Sequence, residues 1–97
     1  MKIYLDRILK TKVETIGFPL TEAGKTQQVT IYVHNETEAK VKDLVFSLNE
    51  ANVKIINPPR EMEPNQIVPV VLEWTPPMTF KQSLSAKLEV KGTEIYG

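Results

Sequence analysis

The chain contains no cysteine and only one histidine, and these two shortages remove several kinds of functional site. Without thiols there is no disulfide framework, no thiolate metal site and no cysteine nucleophile. A single histidine, His34, provides no pair of imidazoles to hold zinc. The four glycines are scattered singly, so no glycine-rich phosphate-binding loop is present. The sequence therefore predicts no cofactor and no metal.

An excess of charge and a long apolar run are also missing. Twelve Lys and Arg balance twelve Asp and Glu, whereas nucleic-acid-binding modules usually carry a clustered basic excess. Asp6 and Arg7 interrupt the apolar residues near the start, which predicts that there is no secretory signal. No segment approaches the roughly 18 apolar residues of a membrane span. We expect no nucleic-acid partner and no membrane partner, and a location in the cytoplasm or in a virion.

Turn-forming residues divide the chain into short segments. Glycine, asparagine or proline recurs about every ten residues, and seven prolines among 97 residues leave little room for long helices. Short segments between regularly spaced turns are typical of a β-sandwich or a barrel. Because the length suits one core only, we predict a single all-β domain over residues 1–97.

Alternation of apolar and polar residues predicts where the strands lie. It is clearest in residues 27–34 and 66–74. The residues predicted to face the core in these two strands are Val29, Ile31, Val33, Val68, Val70, Leu72 and Trp74. Residues 83–90 alternate in the same way, and Lys91-Gly92 is predicted to form a tight turn into a short last strand, 93–96.

The remaining segments are harder to assign. Residues 53–55 are predicted as a short strand, and 2–9 with 12–18 as one or two edge strands. Residues 36–50 fit both a strand and a helix, because the spacing of a helix is met by Val41, Leu44, Val45 and Leu48. Strands on both sides favour a strand here too, with a bulge near Lys42-Asp43.

Five strings of the sequence together resemble a known type of domain. They are GKTQQVTIYVHNET, VKDLVFSL, INPP, MEPNQIVPVVLEWTPP and SLSAKLEVKGTE. Their succession resembles the immunoglobulin-like modules of the ASH and major-sperm-protein type, over roughly residues 12–96. The positions that match are Asn35, Pro58, Pro64, Trp74, Thr75, Pro76 and Gly92. The resemblance implies an immunoglobulin-like sandwich of about seven antiparallel strands with a structural or interaction role.

Polar residues that carry chemistry in other proteins are interpreted here as solvated or structural. His34 ends a strand on its polar face, and no serine lies in a Gly-x-Ser-x-Gly elbow. A calcium loop needs more converging oxygens than the two candidate pairs supply, which are Glu36 with Glu38 and Glu61 with Glu63. Asn35-Glu36-Thr37 matches a glycosylation sequon, which we interpret as a chance match because no export signal is expected. We therefore predict that the protein is not an enzyme.

One predicted strand, residues 66–74, breaks the rule that the outward face of a sandwich strand is polar. If its alternate residues face the core, the residues that point outward include Ile67, Pro69 and Val71. The strand predicted to pair with it carries Thr30 and Tyr32, and these five side chains would then form one apolar patch for binding a protein. The alternative is that the N-terminal segment folds over this patch and covers it.

The N-terminal segment, residues 1–10, is a second candidate for protein binding. It fits either an arm that adds a strand to a partner's sheet or an edge strand of the domain itself. Its candidate contact residues are Ile3, Tyr4, Leu5 and Ile8. Pro69 also indicates an incomplete ladder or a bulge in its own strand. The loops 61–66 and 78–81, the second with Met78 and Phe80, are a third option.

Three functions remain open at this point. The first is a structural module, a subunit or decoration protein of a larger assembly such as a phage capsid or tail, which would also suit a homo-oligomer. The second is a cytoplasmic adaptor that binds peptides or proteins through a sheet edge or loops. The third is a carbohydrate-binding module, for which the candidate aromatic platforms are Tyr4, Tyr32, Phe80 and Tyr96.

Overall fold

The described part of the chain contains seven strands and no helix. The computed structural model describes residues 1–50, 52–76 and 82–96, with the backbone alone for 82–84. The strands are β1 (Lys2–Tyr4), β2 (Thr15–Thr21), β3 (Gln27–His34), β4 (Lys40–Leu48), β5 (Val53–Ile56), β6 (Ile67–Trp74) and β7 (Gln82–Ile95).

The strands form two antiparallel sheets. The four-stranded sheet has the order β1-β3-β6-β5 and the three-stranded sheet the order β2-β7-β4. Every pairing between neighbouring strands is antiparallel. This confirms the predicted fold class, an all-β sandwich of about seven antiparallel strands.

The core lies between the two sheets and follows the alternation that the sequence predicts. In β6 the inward residues Val70, Leu72 and Trp74 are buried. Phe18 of β2 packs against Trp74 with ring centroids 5.5 Å apart, which joins the two sheets. The other buried members of the core are Ile3, Ile16, Ile31, Val33, Val53, Met62, Ala86 and Leu88. Leu84, predicted to face the core, has a side chain outside the described part.

β4 settles the ambiguity of residues 36–50 in favour of a strand. Its pairing with β7 shifts register between Lys42 and Val45, which is the bulge that the sequence predicts. Asp43, inside the bulge, has φ 54°, a conformation that aspartate tolerates better than most residues. Because of the bulge, Val41 and Leu44 both face the core although they are three residues apart, a spacing that is also typical of a helix.

β7 corrects one prediction about the end of the chain. Lys91-Gly92 makes no turn, because a single strand runs through it from Gln82 to Ile95. A Cβ added to Gly92 would lie 2.5 Å from Val41 Cγ1 and 2.8 Å from Leu44 Cδ2. Gly92 therefore lets β7 pass close to the β4 bulge, a use of glycine that does not require a turn.

The start of the chain is an edge strand of the domain. Lys2–Tyr4 pairs antiparallel with β3, and Ile3 is buried in the core. Val13 N donates to Ile3 O at 2.9 Å, so residues just before β2 cover part of the outer edge of β1. An arm that is free to join a partner's sheet is therefore not what residues 2–4 form.

Candidate protein-binding surfaces

The solvent-facing side of the four-stranded sheet carries a continuous set of apolar side chains. Across the strands, Tyr4 pairs with Tyr32 and Tyr32 with Pro69. Two residues further along β6, on the same face, Val71 pairs with Thr30 on one side and with Ile56 on the other. Cross-strand neighbours of this kind have Cβ atoms about 4.5–5.5 Å apart. We call this surface the outer patch, and its members are Tyr4, Thr30, Tyr32, Ile56, Ile67, Pro69 and Val71.

The outer patch is exposed to solvent, and polar groups bound it at both ends. Ile67 and Ile56 are 38% and 37% exposed, which is unusual for isoleucine in a sheet. At one end Lys2 Nζ lies 2.8 Å from Glu36 Oε2. At the other end Gln28 Nε2 donates to Glu73 Oε2 at 3.0 Å. An apolar centre with a polar rim is the general layout of a protein-binding surface.

The segment between β1 and β2 lies beside the outer patch and places Arg7 over one of its rings. The Arg7 guanidinium is 5.7 Å from the centroid of the Tyr32 ring, within the range of a cation–π contact. Leu5 and Ile8 are exposed, the latter by 68%. In the patch itself Thr30, Ile67 and Pro69 are exposed, so the N-terminal segment does not cover the whole of it.

The Asp6 carboxylate holds this segment in shape. It accepts hydrogen bonds from Thr11 N at 2.8 Å and from Lys10 N at 3.0 Å. Leu5 N donates to Thr11 O at 2.9 Å and closes the loop. The hydrogen bonds from Thr11 N and then Lys10 N lower the pKa of Asp6 below its ordinary value. The loop that carries Arg7 therefore favours the ionised form of Asp6.

We expect acid to loosen this loop before it unfolds the domain. Because the folded pKa of Asp6 is lowered, its stabilising effect is complete above the ordinary value of 3.8 and is lost as pH falls through the lower folded value. An NMR titration should show the Thr11 and Lys10 amide resonances moving with a common midpoint below 3.8. A midpoint at or above that value would contradict the prediction, and the same titration of Asp6→Asn should show no such step.

The structure brings together most of the candidate residues and separates others. Tyr4 joins the patch predicted from Thr30, Tyr32, Ile67, Pro69 and Val71, all of which lie on the same face. Ile3 belongs to the core, and Leu5 and Ile8 lie on the neighbouring loop. Ile56 was missed, because the sequence shows only a short strand of uncertain end around it. The loop residues Met78 and Phe80 lie outside the described part of the chain.

The glutamate pairs considered for calcium already have a cationic partner. Lys40 Nζ lies 3.4 Å from Glu61 Oε1 and 3.5 Å from Glu63 Oε1. The charge of Glu61, then that of Glu63, raises the pKa of Lys40. Glu36, considered with Glu38, contacts Lys2, whose hydrogen bond lowers the pKa of Glu36. Among the described residues there is no group of three or more His, Asp or Glu arranged to hold a metal ion.

The side chains of Asn35 and His34 are both enclosed, to different degrees, by neighbouring residues. Asn35 is buried, and its Nδ2 donates to Ala39 O at 2.9 Å and to Glu63 O at 3.0 Å. The amide that the glycosylation sequon would modify is therefore enclosed and in use. His34 is half-buried with its ring centroid 6.5 Å from that of Tyr4. Its Nδ1 is buried and has no hydrogen-bond partner in the described part of the chain.

Comparison with known proteins found no match, whether among family models, curated proteins or solved structures. The resemblance to ASH and major-sperm-protein modules accordingly stays a prediction. Across the ranges that the structure covers, no helix has the length and apolarity to cross a membrane.

Proposed function

We propose that this chain is a non-enzymatic protein-binding module and that it docks on its partner through the outer patch. The observation that supports this most directly is the register of β1, β3, β6 and β5, which aligns the patch residues on the solvent side of one sheet. The opposite side of the same strands fills the core. A sheet that is apolar on both sides has an outer side available for a partner.

The first form of this function that we propose is a subunit of a larger assembly, because a rigid sheet face suits such a contact. Side chains on paired strands lose little freedom when a partner covers them, so more of the contact energy appears as affinity. Fully burying an exposed isoleucine or valine contributes about 1.5–3 kcal/mol. The few members of the patch are thus enough for one docking site. A virion is one such assembly, and a cellular complex is another.

Charge placed in the patch should abolish docking and leave the fold intact. Ile67→Lys is the sharpest variant, because Ile67 is exposed at the end of β6 and its replacement opens no cavity. We expect affinity-purified Ile67→Lys to lose the proteins that the unchanged chain recovers from its source cells, while Tm stays within a few degrees. Quantitative mass spectrometry of the recovered proteins is the measurement.

Val45→Lys is the matched control for this experiment. Val45 is 59% exposed on β4, in the other sheet, so it offers the same change of residue type outside the patch. The control should recover the same proteins as the unchanged chain. Equal recovery by all three proteins would contradict docking through the outer patch, as would a loss that Val45→Lys shares.

A further inference from the structure

Each of the two neighbours of β7 pairs with only part of its length. β2 pairs with Gln82 to Lys87, and β4 pairs with Leu88 to Ile95. The two partners lie on opposite edges, because Lys87 O accepts from Asn49 N whereas Leu88 N donates to Glu14 O. Beyond Leu88, the edge that continues from β2 therefore has no strand in the described part of the chain.

The backbone groups on this open edge alternate with those that β4 uses. Since successive residues of a strand point their N–H and C=O groups to opposite edges, the groups of Val90, Gly92 and Glu94 point to the open edge. The pairing of Val41 with Glu94 agrees, because Val41 exchanges both of its hydrogen bonds with Met62 and none with β7. Unpaired strand groups of this kind can bind another extended chain.

Space for an added strand exists beside these groups. A cleft of about 540 Å³ runs along residues 87–91 of β7, and a second of about 320 Å³ lies against Val90 to Glu94. Both are lined by Met1, Val90 and Lys91, so the two clefts adjoin at this part of β7. Apolar side chains that face these clefts are Met1, Ile3, Val13, Val41, Leu88 and Val90. A strand placed here would contact the core with every second side chain.

The charges around the larger cleft favour an acidic occupant. Four lysines and three glutamates line it, and Lys2 pairs with Glu36. This leaves Lys12, Lys87 and Lys91 against two glutamates, and none of these three lysines has a carboxylate within 4.0 Å among the described residues. The larger cleft is therefore basic by one charge, whereas the smaller cleft adds only Glu94 to the charged lining. Carboxylates on an added strand would thus be attracted to the larger cleft.

A second copy of this chain fits the open edge poorly. β2 blocks the edge before Leu88, so two copies related by a two-fold axis overlap best around Gly92. In that register the two Lys91 side chains are diagonal neighbours, and two like charges in reach of each other are unfavourable.

We infer that the open edge of β7 binds an extended segment of a partner protein in which apolar residues alternate with acidic ones. The segment runs beside Val90 to Glu94, exchanges backbone hydrogen bonds with them, and directs its apolar side chains into the cleft. This site lies on the other sheet from the outer patch and is independent of it.

The test uses a capped peptide of alternating valine and glutamate, about eight residues long to match the open edge, with the full chain. Hydrogen exchange measured by NMR should show fast exchange of the Val90 and Glu94 amides in the free chain and slow exchange of Glu89 and Lys91, which face β4. Saturating peptide should slow Val90, Gly92 and Glu94 by at least about tenfold. In the antiparallel pairing that the other strands of this sheet use, a peptide methylated on the valine nitrogens should not bind, whereas methylation on the glutamate nitrogens should preserve binding, because only the valine N–H groups then face β7.

Charge reversal supplies the matched controls. Lys91→Glu should lower the affinity for the acidic peptide by about tenfold or more. Lys54→Glu, on the exposed face of β5, should leave that affinity unchanged. Unchanged exchange at saturating peptide would overturn the inference. So would equal binding of a valine–lysine peptide, equal effects of the two methylation patterns, or a dimer of the free chain that already protects Val90 and Glu94.

Discussion

Replacing Asn35 by aspartate is expected to lower the free energy of unfolding by about 3–5 kcal/mol. The side chain is 1% exposed, and its Nδ2 donates to the carbonyl oxygens of Ala39 and Glu63. Its Oδ1 accepts from Thr37 Oγ1 at 2.7 Å. Asn35 thereby ties the turn after β3 to the segment before β6. An aspartate would fit the space but would place a buried carboxylate oxygen against two carbonyl oxygens, where no donor is left to satisfy it.

Urea unfolding of the two proteins at neutral pH measures this effect. Asn49→Asp is the matched control, because Asn49 is exposed and its Oδ1 only accepts, from Lys87 N at 2.8 Å. A carboxylate oxygen accepts that hydrogen bond equally well, so we expect a change below about 1 kcal/mol. Equal effects of the two substitutions would show that the buried amide of Asn35 is not what fixes the turn.

Leu72→Ala is expected to cost about 3–5 kcal/mol. Leu72 is fully buried in the centre of β6, between the two sheets, and the cavity left by its side chain can close only partly. Thermal or denaturant unfolding gives the number directly. The substitution also tests the register of β6, because a slip by one residue would put Leu72 on the solvent side.

The neighbouring residue provides the comparison for Leu72. Val71 is half-buried on the opposite side of the same strand, in the outer patch. Val71→Ala should cost less than about 1 kcal/mol, so the two adjacent substitutions should differ several-fold. Comparable losses would mean that Val71 packs inside the folded monomer, and the outer patch would then lose one of its central members as a docking surface.

Alternation predicted the main strands well because it reflects a physical necessity. Residues in β3 and β6 alternate with period two, and the structure buries Ile31, Val33, Val70 and Leu72 as that period requires. The outward side of β6 was predictable for the same reason, since Ile67, Pro69 and Val71 occupy positions that are polar in most sandwich strands. The pairing of β3 with β6 then brought Tyr32 beside Pro69.

Other features depend on contacts between distant parts of the chain, which alternation does not contain. Gly92 suggested a turn because glycine is common in turns, but here it admits the Val41 side chain at a close approach. The sequence does not show whether residues 2–4 form an arm or an edge strand, because Ile3 fits both until its partner strand is known. The open edge of β7 follows from which strands pair, so no local pattern indicates it.

The two surfaces that we propose lie on different sheets and offer different kinds of contact. The outer patch presents apolar side chains on the four-stranded sheet, whereas the open edge of β7 presents backbone groups on the three-stranded one. Side-chain contacts on a flat face and backbone pairing at an edge select different partners.

Site-specific photo-crosslinking in the source cells tests docking through the outer patch most directly. A benzophenone side chain is introduced in place of Ile67 in one protein and in place of Val45, the exposed valine of the other sheet, in a second. Docking through the outer patch predicts that irradiation links the first protein to one discrete partner and leaves the second without that product. Products of equal yield from both positions, or from Val45 alone, would contradict it.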